Sequence, residues 1–160
     1  MRPLRGAKAS AVQFRYLWVS DADGVKLFDV TSLRNPVAVP EATVPLADAR
    51  RIYIARTYAY VAAKGDGLVI LDVKNPRAPR IFQKVTLGGS LNDAEDVIVA
   101  TTNASLFAYV ADGRNGMKVL QLTSPASRPI QATRDLPGFW RGSWHDVAKE
   151  MKGRYPRHRW

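Results

Sequence analysis

Cysteine is absent from the 160-residue chain, and only two histidines are present. Without cysteine the chain forms neither disulfides nor thiolate metal sites, so redox chemistry does not indicate a compartment. No run approaches the roughly 18 apolar residues of a membrane span, and the basic start MRPLRGAKASAVQF lacks the apolar run of a signal peptide. We therefore expect no membrane partner. The compartment stays unknown: cytoplasmic for the chain as written, or exported if Met1 is an internal start within a longer exported protein.

Positive charge is unevenly distributed along the chain. Residues 1–120 contain 16 Lys and Arg against 11 Asp and Glu, and residues 121–160 contain 8 against 3, so each part has a surplus of 5. The last quarter therefore carries half of the net charge of +10, together with three of the four tryptophans and both histidines. The composition changes near residue 122. A hydrophobic fraction of 46% is close to the globular average, so we expect one modest folded domain with an appendage.

One sequence pattern occurs three times. The copies are YLWVSDADGVKLFDVTSLRNP, YAYVAAKGDGLVILDVKNP and LFAYVADGRNGMKVLQLTSP, which begin at residues 16, 58 and 106. Aligned on their turn glycines, they are 43 and 49 residues apart. In each copy two apolar runs flank an Asp-Gly or Asn-Gly pair, which is the strongest short signal for a β-hairpin. The predicted turn residues are Asp23, Gly24, Asp66, Gly67, Asn115 and Gly116.

The repeat unit has the size of a propeller blade. The second runs VKLFDV, LVILDV and MKVLQL are apolar at nearly every position, so we expect both faces of these strands to be covered. The segments DARRIYIA and DAEDVIVA predict a further strand before the second and third hairpins. Three or four strands at this period are typical of β-propellers. We therefore predict an all-β fold: a partial β-propeller of about three blades, with a short C-terminal helix and an irregular basic tail.

The repeats resemble a known family. The stretch YVAAKGDGLVILDVKNPRAPR is similar to the LVIVD-repeat proteins, and the resemblance covers about residues 7–125. It implies a propeller scaffold, often in exported proteins, with no established general chemistry. Propellers need about 4 to 8 blades to close, so three blades should leave apolar faces open at both ends. We expect another protein chain or a second copy to cover these faces.

The tail has a different pattern, and we place a domain boundary between residues 125 and 126. Ser143 as N-cap, with Trp144, Val147 and Met151 on one face, predicts a helix from about Trp144 to Lys152. The segment SPASRPIQATRDLPGFWRGSWHDVAKEMKGRYPRHRW, residues 124–160, resembles the C-terminus of HrpB-type ATP-dependent RNA helicases. The chain has no GxxxxGK followed by Ser or Thr, and no metal-binding acidic motif. The resemblance therefore transfers no catalysis, and we expect neither enzyme activity nor a cofactor.

Basic and aromatic residues alternate in this tail, a composition that suits phosphate contact together with base stacking. The candidate nucleic-acid contacts are Arg141, Lys149, Lys152, Arg154, Arg157, Arg159, Trp140 and Trp144. A solvated basic face, with aromatics that pack on a larger helicase body, is the ordinary explanation of the same pattern.

Other polar residues are better explained by structure than by chemistry. Asp21, Asp23 and Asp112 could suggest a calcium loop, but the acidic register that ends in Glu is missing, which favours turn formation. Neighbours on one short helix, such as Ser143 and His145, cannot form a hydrolase triad. Asp29 and its repeat equivalent Asp72 are expected to bond backbone N–H groups in a turn.

Three functional hypotheses remain open. The first is a non-enzymatic propeller-repeat fragment that acts as a scaffold or protein-interaction module. The second is an RNA-associated protein whose role is set by the helicase-like tail. The third is a fusion or sequence misassembly without an evolved joint function.

Overall fold

The computed structural model of the protein describes residues 4–101, 106–122, 131–133 and 136–141, together with His145, Ala148, Lys149 and Lys152. Within them, antiparallel strands form three four-stranded sheets. The first sheet contains β1 (Ala9–Gln13), β2 (Tyr16–Asp21), β3 (Gly24–Asp29) and β4 (Val37–Pro45). The second contains β5 (Arg51–Ala55), β6 (Tyr58–Ala62), β7 (Leu68–Asp72) and β8 (Arg80–Val85). The third contains β9 (Asp96–Thr101), β10 (Leu106–Ala111), β11 (Met117–Leu122) and β12 (Gln131–Thr133).

Each sheet is a meander in which every strand pairs with the next one along the chain. Strand β5 contacts both β1 and β9 between sheets, so these three strands form the inner edge of the stack, and β4, β8 and β12 form the outer edge. This arrangement confirms the predicted all-β partial propeller of three blades. The predicted inner strands before the second and third hairpins are present. The first sheet has one as well, because ASAVQ forms β1.

The sheets pack face to face through two apolar clusters. One joins the first and second sheets around Trp18 and Val69, and the other joins the second and third sheets around Tyr60 and Leu120. Strand β7 contributes alternate residues to both clusters, and its first four residues are at most 1% exposed. Its continuous apolar run LVIL is explained by this double coverage, as the sequence predicted.

The turn glycines supply the backbone conformation that the hairpins need. Gly24, Gly67 and Gly116 have φ of 131°, 71° and 77°. The preceding residues Asp23 and Asp66 are not among those with positive φ, so only the glycine of each pair uses the left-handed half of the map. In the third sheet the turn contains a 3-10 segment, Gly113–Asn115, directly before the glycine.

The outer strands tolerate features that central strands exclude. Strand β4 contains Pro40 and Pro45, which lie at a sheet edge where no further strand needs their N–H groups. Strand β12 lies beyond the predicted boundary at residue 125, yet it pairs with β11 through Val119 and Thr133. The fourth strand of the third sheet therefore comes from the segment that was assigned to the tail.

Helical structure in the tail differs in part from the prediction. Of the helix predicted from Trp144 to Lys152, the described residues His145, Ala148, Lys149 and Lys152 are helical, and the others lie outside the described residues. A second helix, α1 (Leu136–Arg141), was not predicted. Its residues Pro137 and Gly138 argue against helix by propensity, but proline is tolerated in the first turn, where its missing N–H needs no partner.

Candidate functional site

The predicted nucleic-acid contacts are only partly described by the structure. Arg141 ends α1, and the side chains of Arg141, Lys149 and Lys152 are exposed. Trp140 belongs to α1, but its side chain is outside the described part, as are Trp144, Arg154, Arg157 and Arg159. The structure therefore gives three exposed basic side chains in this segment.

The third sheet contains a buried ion pair that sequence reasoning missed. Lys118 is 1% exposed, and its Nζ donates to the Asp112 carboxylate at 2.7 Å and to the Asn115 carbonyl at 3.0 Å. The second oxygen of Asp112 accepts the backbone N–H of Asp93 at 2.7 Å. The lysine thus holds the β10–β11 turn to its own strand, and the aspartate holds the same turn to the chain entering β9.

The first sheet repeats this pair, whereas the second sheet replaces it. Lys26, like Lys118, comes two residues after the turn glycine, and it donates to the fully buried Asp21. In the second sheet the corresponding residues are Ala63 and Val69, both fully buried. One position of the repeat thus accepts either an ion pair or two apolar side chains. An alignment of the three copies on their glycines could have revealed the alternation.

The carboxyl of Asp21 stays ionised in this buried position. Burial alone would raise its pKa, but the hydrogen bond from Lys26 and the backbone N–H groups of Arg5 and Asp23 outweigh burial and hold the pKa below its usual value. Asp21 and Asp112 thus each bond a lysine and backbone N–H groups beside their turns. Among the described residues, no group of three or more His, Asp or Glu side chains could hold a metal ion.

We call the edge with the β2–β3, β6–β7 and β10–β11 turns the paired end. Its charges form a chain of contacts that crosses all three sheets: Lys8 to Asp48, Asp48 to Arg50, Arg50 to Glu95, Glu95 to Lys64, and Lys64 to Asp93. Further ion pairs at this end are Arg5–Asp23, Lys26–Asp21, Arg51–Asp96, Lys84–Asp66, Arg114–Asp93 and Lys118–Asp112. Each Lys and Arg described at this end thus has an acidic partner.

These contacts lower carboxyl pKa values. Burial would raise the pKa of Asp48, but hydrogen bonds from Lys8 and Arg50 outweigh it and lower the pKa. The hydrogen bond from Lys64, followed by the backbone N–H of Arg114, lowers the pKa of Asp93. In return, the hydrogen bonds to Asp93 and Glu95 raise the pKa of Lys64.

Stability is expected to fall in acid. Asp21, Asp48 and Asp93 have lower pKa values in the folded state than the ordinary unfolded value of about 3.9. Each therefore contributes stability that is present above about pH 4 and is lost as the pH falls through its folded pKa. Urea unfolding midpoints should be nearly constant from neutral pH to about pH 5 and should drop below about pH 4. Asp48→Asn should flatten the drop, and a midpoint that rises on acidification would contradict the prediction.

We call the opposite edge, with the β1–β2, β3–β4, β5–β6 and β7–β8 connections, the basic end. Arg77 joins the first two sheets here, because its guanidinium contacts the Tyr16 hydroxyl at 3.4 Å, Glu41 at 3.3 Å and Asp29 at 3.6 Å. Hydrogen bonds from Arg15 and then Arg77 lower the pKa of the Tyr16 hydroxyl. Arg77, Glu41 and Asp29 line part of a cleft of about 460 Å³.

The repeated aspartates at the basic end are turn residues, which confirms the prediction. Asp29 accepts hydrogen bonds from the backbone N–H of Thr31 at 2.9 Å and from its hydroxyl at 2.6 Å. Asp72 accepts the backbone N–H of Lys74 at 2.9 Å. The bonds from Thr31 lower the pKa of Asp29.

Within the part of the chain that the structure describes, the buried hydroxyl of Tyr60 has no hydrogen-bond partner, and burial raises its pKa to about 12. At the equivalent position of the first sheet, Trp18 donates to Gln13 at 3.2 Å. In the second sheet the position equivalent to Gln13 is occupied by Ala55, whose side chain cannot form a hydrogen bond with Tyr60.

Tyr60→Phe is therefore expected to raise the free energy of unfolding by about 1 kcal/mol, because it removes an unsatisfied buried polar group. Tyr16→Phe is the matched control and should lower stability, since the Tyr16 hydroxyl accepts from Arg15 and Arg77. Urea unfolding of both variants measures the difference, and a loss of stability in Tyr60→Phe would show that this hydroxyl does have a partner.

One face of the first sheet lies on the side away from the second sheet, and we call it the open face. Cross-strand register places on it Val12, Leu17, Val19, Lys26, Phe28 and Ala38. Val12 is 65% exposed, and Phe28 is half-buried. A shift of register between β3 and β4 opens a groove of about 360 Å³ here, lined by Lys26, Phe28, Ala38, Pro40 and Thr43 among others.

The face at the other end of the stack differs. On the side of the third sheet away from the second, Phe107 and Val119 are buried, although Ile98 is 52% exposed. Met117, two residues before Val119 on the same side of β11, is 41% exposed. Apolar residues are thus present on both end faces, as the sequence predicted.

Two protein families match different parts of the chain. The LVIVD repeat matches residues 47–86, which include the whole second sheet, and the ATP-dependent helicase C-terminal family matches residues 99–160. ATP-dependent RNA helicase HrpB of Escherichia coli strain K12 is 59% identical over 51 residues. That alignment covers 32% of this chain and 6% of the helicase, so the chain spans a small part of that protein's length. The third sheet from residue 99 onward lies within the helicase match.

Three solved structures are similar in fold. PorZ, a bacterial surface component of the type-IX secretion system of Porphyromonas gingivalis, has a TM-score of 0.55 and 19% identity over 74% of this chain and 17% of its own. The computationally designed Ika8 protein has a TM-score of 0.52 and 10% identity over 79% and 36% of the two chains. The designed Ika4 protein has a TM-score of 0.50 and 13% identity over 82% and 72%. At these identities the similarity concerns the fold alone.

Proposed function

We propose that this chain is a non-enzymatic propeller-repeat module that binds another protein chain across the open face of its first sheet. One observation carries the proposal: the open face has the composition of the faces that are buried between sheets, but no other described sheet covers it. The partner that fits is a protein presenting an apolar β-sheet face, because that is what covers the equivalent positions elsewhere in the stack.

The repeat equivalence supports this partner. Val69 and Leu71, two and four residues after the turn glycine, are buried against the first sheet. In the third sheet Leu120 is buried against the second sheet at the corresponding position. Phe28 is the equivalent residue of the first sheet and belongs to none of the buried clusters. A further sheet on the open face would bury it in the same way.

Solution mass as a function of concentration tests the proposal. With its partner absent, we expect the purified chain to self-associate as concentration rises and to bind the dye ANS, because exposed apolar surface drives both. Val12→Glu should suppress both, whereas Ile81→Glu, on the outer strand of the second sheet at 45% exposure, should not. A soluble monomer at all concentrations, without dye binding, would contradict the proposal. A discrete dimer that Val12→Glu abolishes would identify a second copy as the occupant.

RNA association through the tail is the second candidate. It is favoured by the helicase C-terminal match over residues 99–160 and by the exposed side chains of Arg141, Lys149 and Lys152. Titration with single-stranded RNA at moderate salt tests it: changing these three residues to Gln should weaken binding, and the triple change Arg51→Gln, Lys84→Gln and Arg114→Gln is a control of equal charge. Absence of RNA binding by the full chain would exclude this role, and ATP hydrolysis would contradict the non-enzymatic assignment.

A further inference from the structure

Two large apolar side chains stand almost fully in solvent at the basic end. Phe14 is 91% exposed and Leu33 is 86% exposed, the highest values among the large hydrophobic residues described. Phe14 lies in the two-residue β1–β2 turn, and Leu33 lies in the β3–β4 connection. The backbone N–H of Val30 donates to the Arg15 carbonyl at 2.8 Å, so the two connections lie side by side. The two apolar tips therefore project from the same end of one sheet.

Folding does not explain the phenylalanine. Phe14 has φ of 54°, a conformation that Gly and Asn adopt at much lower cost than a bulky aromatic residue. Its side chain makes little contact with the rest of the protein, since only 9% of its surface is covered. A residue that is costly for the backbone and unused by the core calls for a contact outside the chain.

The apolar tips stand among basic residues, four of which have no acidic partner in the described part of the chain. Arg15 and Arg34 follow Phe14 and Leu33 directly in sequence. Among the described residues, the side chains of Arg34, Arg56, Lys74 and Arg80 make no ion pair and no hydrogen bond, and all four residues are exposed. The acidic groups nearby are engaged: Asp29 with Thr31, Arg15 and Arg77, Asp72 with the Lys74 N–H, and Glu41 with Arg77.

Charge is therefore distributed in opposite ways at the two ends of the stack. At the paired end each described Lys and Arg is matched by a carboxylate, whereas at the basic end four are not. The hydrogen bond from the Gln13 amide to the Arg56 carbonyl at 2.9 Å ties the β5–β6 turn of the second sheet to the β1–β2 turn. The positive surface thus continues from the first sheet to the second, beside the apolar tips.

We propose that the basic end docks on the surface of an anionic lipid bilayer. Phe14 and Leu33 enter the boundary between headgroups and acyl chains, and Arg34, Arg56 and Lys74 contact lipid phosphates. Apolar tips combined with basic residues fit this interface, where burial and attraction to anionic lipid act together. Single-stranded RNA would also attract the basic residues and could stack on Phe14, but it offers nothing to an exposed leucine.

This contact is peripheral. None of the described helical segments has the length and hydrophobicity to cross a bilayer. The expectation of no membrane partner rested on the missing spanning segment, and it does not bear on docking at a surface. The proposal is independent of the protein-binding role, because it uses other residues at another part of the first sheet.

Vesicle flotation tests the proposal with the full chain. We expect binding to phosphatidylcholine vesicles that contain phosphatidylglycerol, binding that weakens with salt, and none to phosphatidylcholine alone. Phe14→Asn with Leu33→Asn should reduce the partition constant about tenfold or more. Asn suits the positive φ at position 14, so this variant should fold at least as well. Arg34→Gln, Arg56→Gln and Lys74→Gln together should reduce binding about 100-fold.

Matched variants decide the specificity. A control triple removes the same charge from the paired end: Arg51→Gln, Lys84→Gln and Arg114→Gln. It should leave vesicle binding unchanged. Phe82→Asn, which removes an exposed aromatic side chain elsewhere, is the control for the Phe14 and Leu33 changes and should also leave binding unchanged. The proposal is overturned if wild type does not float with anionic vesicles at low salt, or if the control triple weakens binding as much as the basic-end triple. It is also overturned if the tail triple Arg141→Gln, Lys149→Gln and Lys152→Gln abolishes binding alone. RNA binding that needs Arg34, Arg56 and Lys74 but not Leu33, without vesicle binding, would assign this end to nucleic acid instead.

Discussion

Lys118→Met is expected to lower the free energy of unfolding by about 3–5 kcal/mol, the usual cost of removing one partner from a buried ion pair. The methionine fills most of the lysine volume, so the loss comes from the Asp112 carboxylate, which is fully buried and keeps only the Asp93 N–H. Urea unfolding at neutral pH measures the change. Arg51→Ala is the matched control, because the Arg51–Asp96 pair is about half exposed and should contribute at most about 1 kcal/mol.

The middle sheet supplies the compensating change. Asp112→Ala with Lys118→Val copies Ala63 and Val69, which occupy the same positions and are fully buried. Replacement of both charges by apolar residues is often neutral, so the double variant should recover much of the loss. Recovery should be incomplete, because the Asp93 N–H loses its acceptor. A double variant less stable than Lys118→Met would show that the two sites of the repeat are not equivalent.

The sequence predicted the blade architecture because its signals are local. Asp-Gly and Asn-Gly pairs between apolar runs mark a hairpin regardless of what surrounds it, and the recurrence of the pair at propeller spacing predicts the sheets. Strand β1 was missed because ASAVQ has little apolar alternation of its own and is held by its pairing with β2. Helix α1 was missed because Pro137 and Gly138 have low helix propensity. The proline is nevertheless accepted, because it lies in the first turn of the helix, where its missing N–H needs no partner.

The candidate sites were less predictable, because they depend on which residues the fold brings together. Lys26 and Lys118 read as ordinary surface charges, and only their register against Asp21 and Asp112 makes them buried partners. Phe14 and Leu33 are far enough apart in sequence that neither suggests the other. Strand directions place both side chains at the same end of the first sheet. That the side chains of Arg34, Arg56 and Lys74 lack an acidic partner among the described residues also depends on the fold, which brings the nearby carboxylates to other groups.

The two family matches meet within one continuous stack of sheets. The LVIVD match ends at residue 86 and the helicase match begins at residue 99, and strand β9 starts between them at Asp96. Apolar side chains of the second and third sheets nevertheless share one buried cluster. Lys64 of the second sheet also bonds Asp93, at 2.6 Å, in the segment that enters the third. The predicted boundary at residue 125 remains a prediction, but β12 beyond it completes a sheet that begins well before it.

Gly67→Ala is the second change expected to have a large effect, with a loss of about 2–5 kcal/mol in the free energy of unfolding. Two costs add. A non-glycine residue at φ of 71° is strained, and its Cβ would collide with the Val85 carbonyl oxygen and lie 2.9 Å from the Leu91 carbonyl oxygen. Val85 is the last residue of β8 and Leu91 lies in the connection that follows, so a shift of the first oxygen would displace the end of the outer strand and a shift of the second would displace that connection.

Gly116→Ala separates these two costs. Gly116 is the repeat equivalent of Gly67 and has nearly the same φ, 77°, but nothing lies within 4 Å of the position of its Cβ. This variant should lose only the conformational cost of about 1–2 kcal/mol. The difference between the two variants in urea unfolding measures the close approach of β8 to the β6–β7 turn. Equal losses would mean that the turn glycine is required for its φ alone, and that the outer strand does not restrict this corner of the blade.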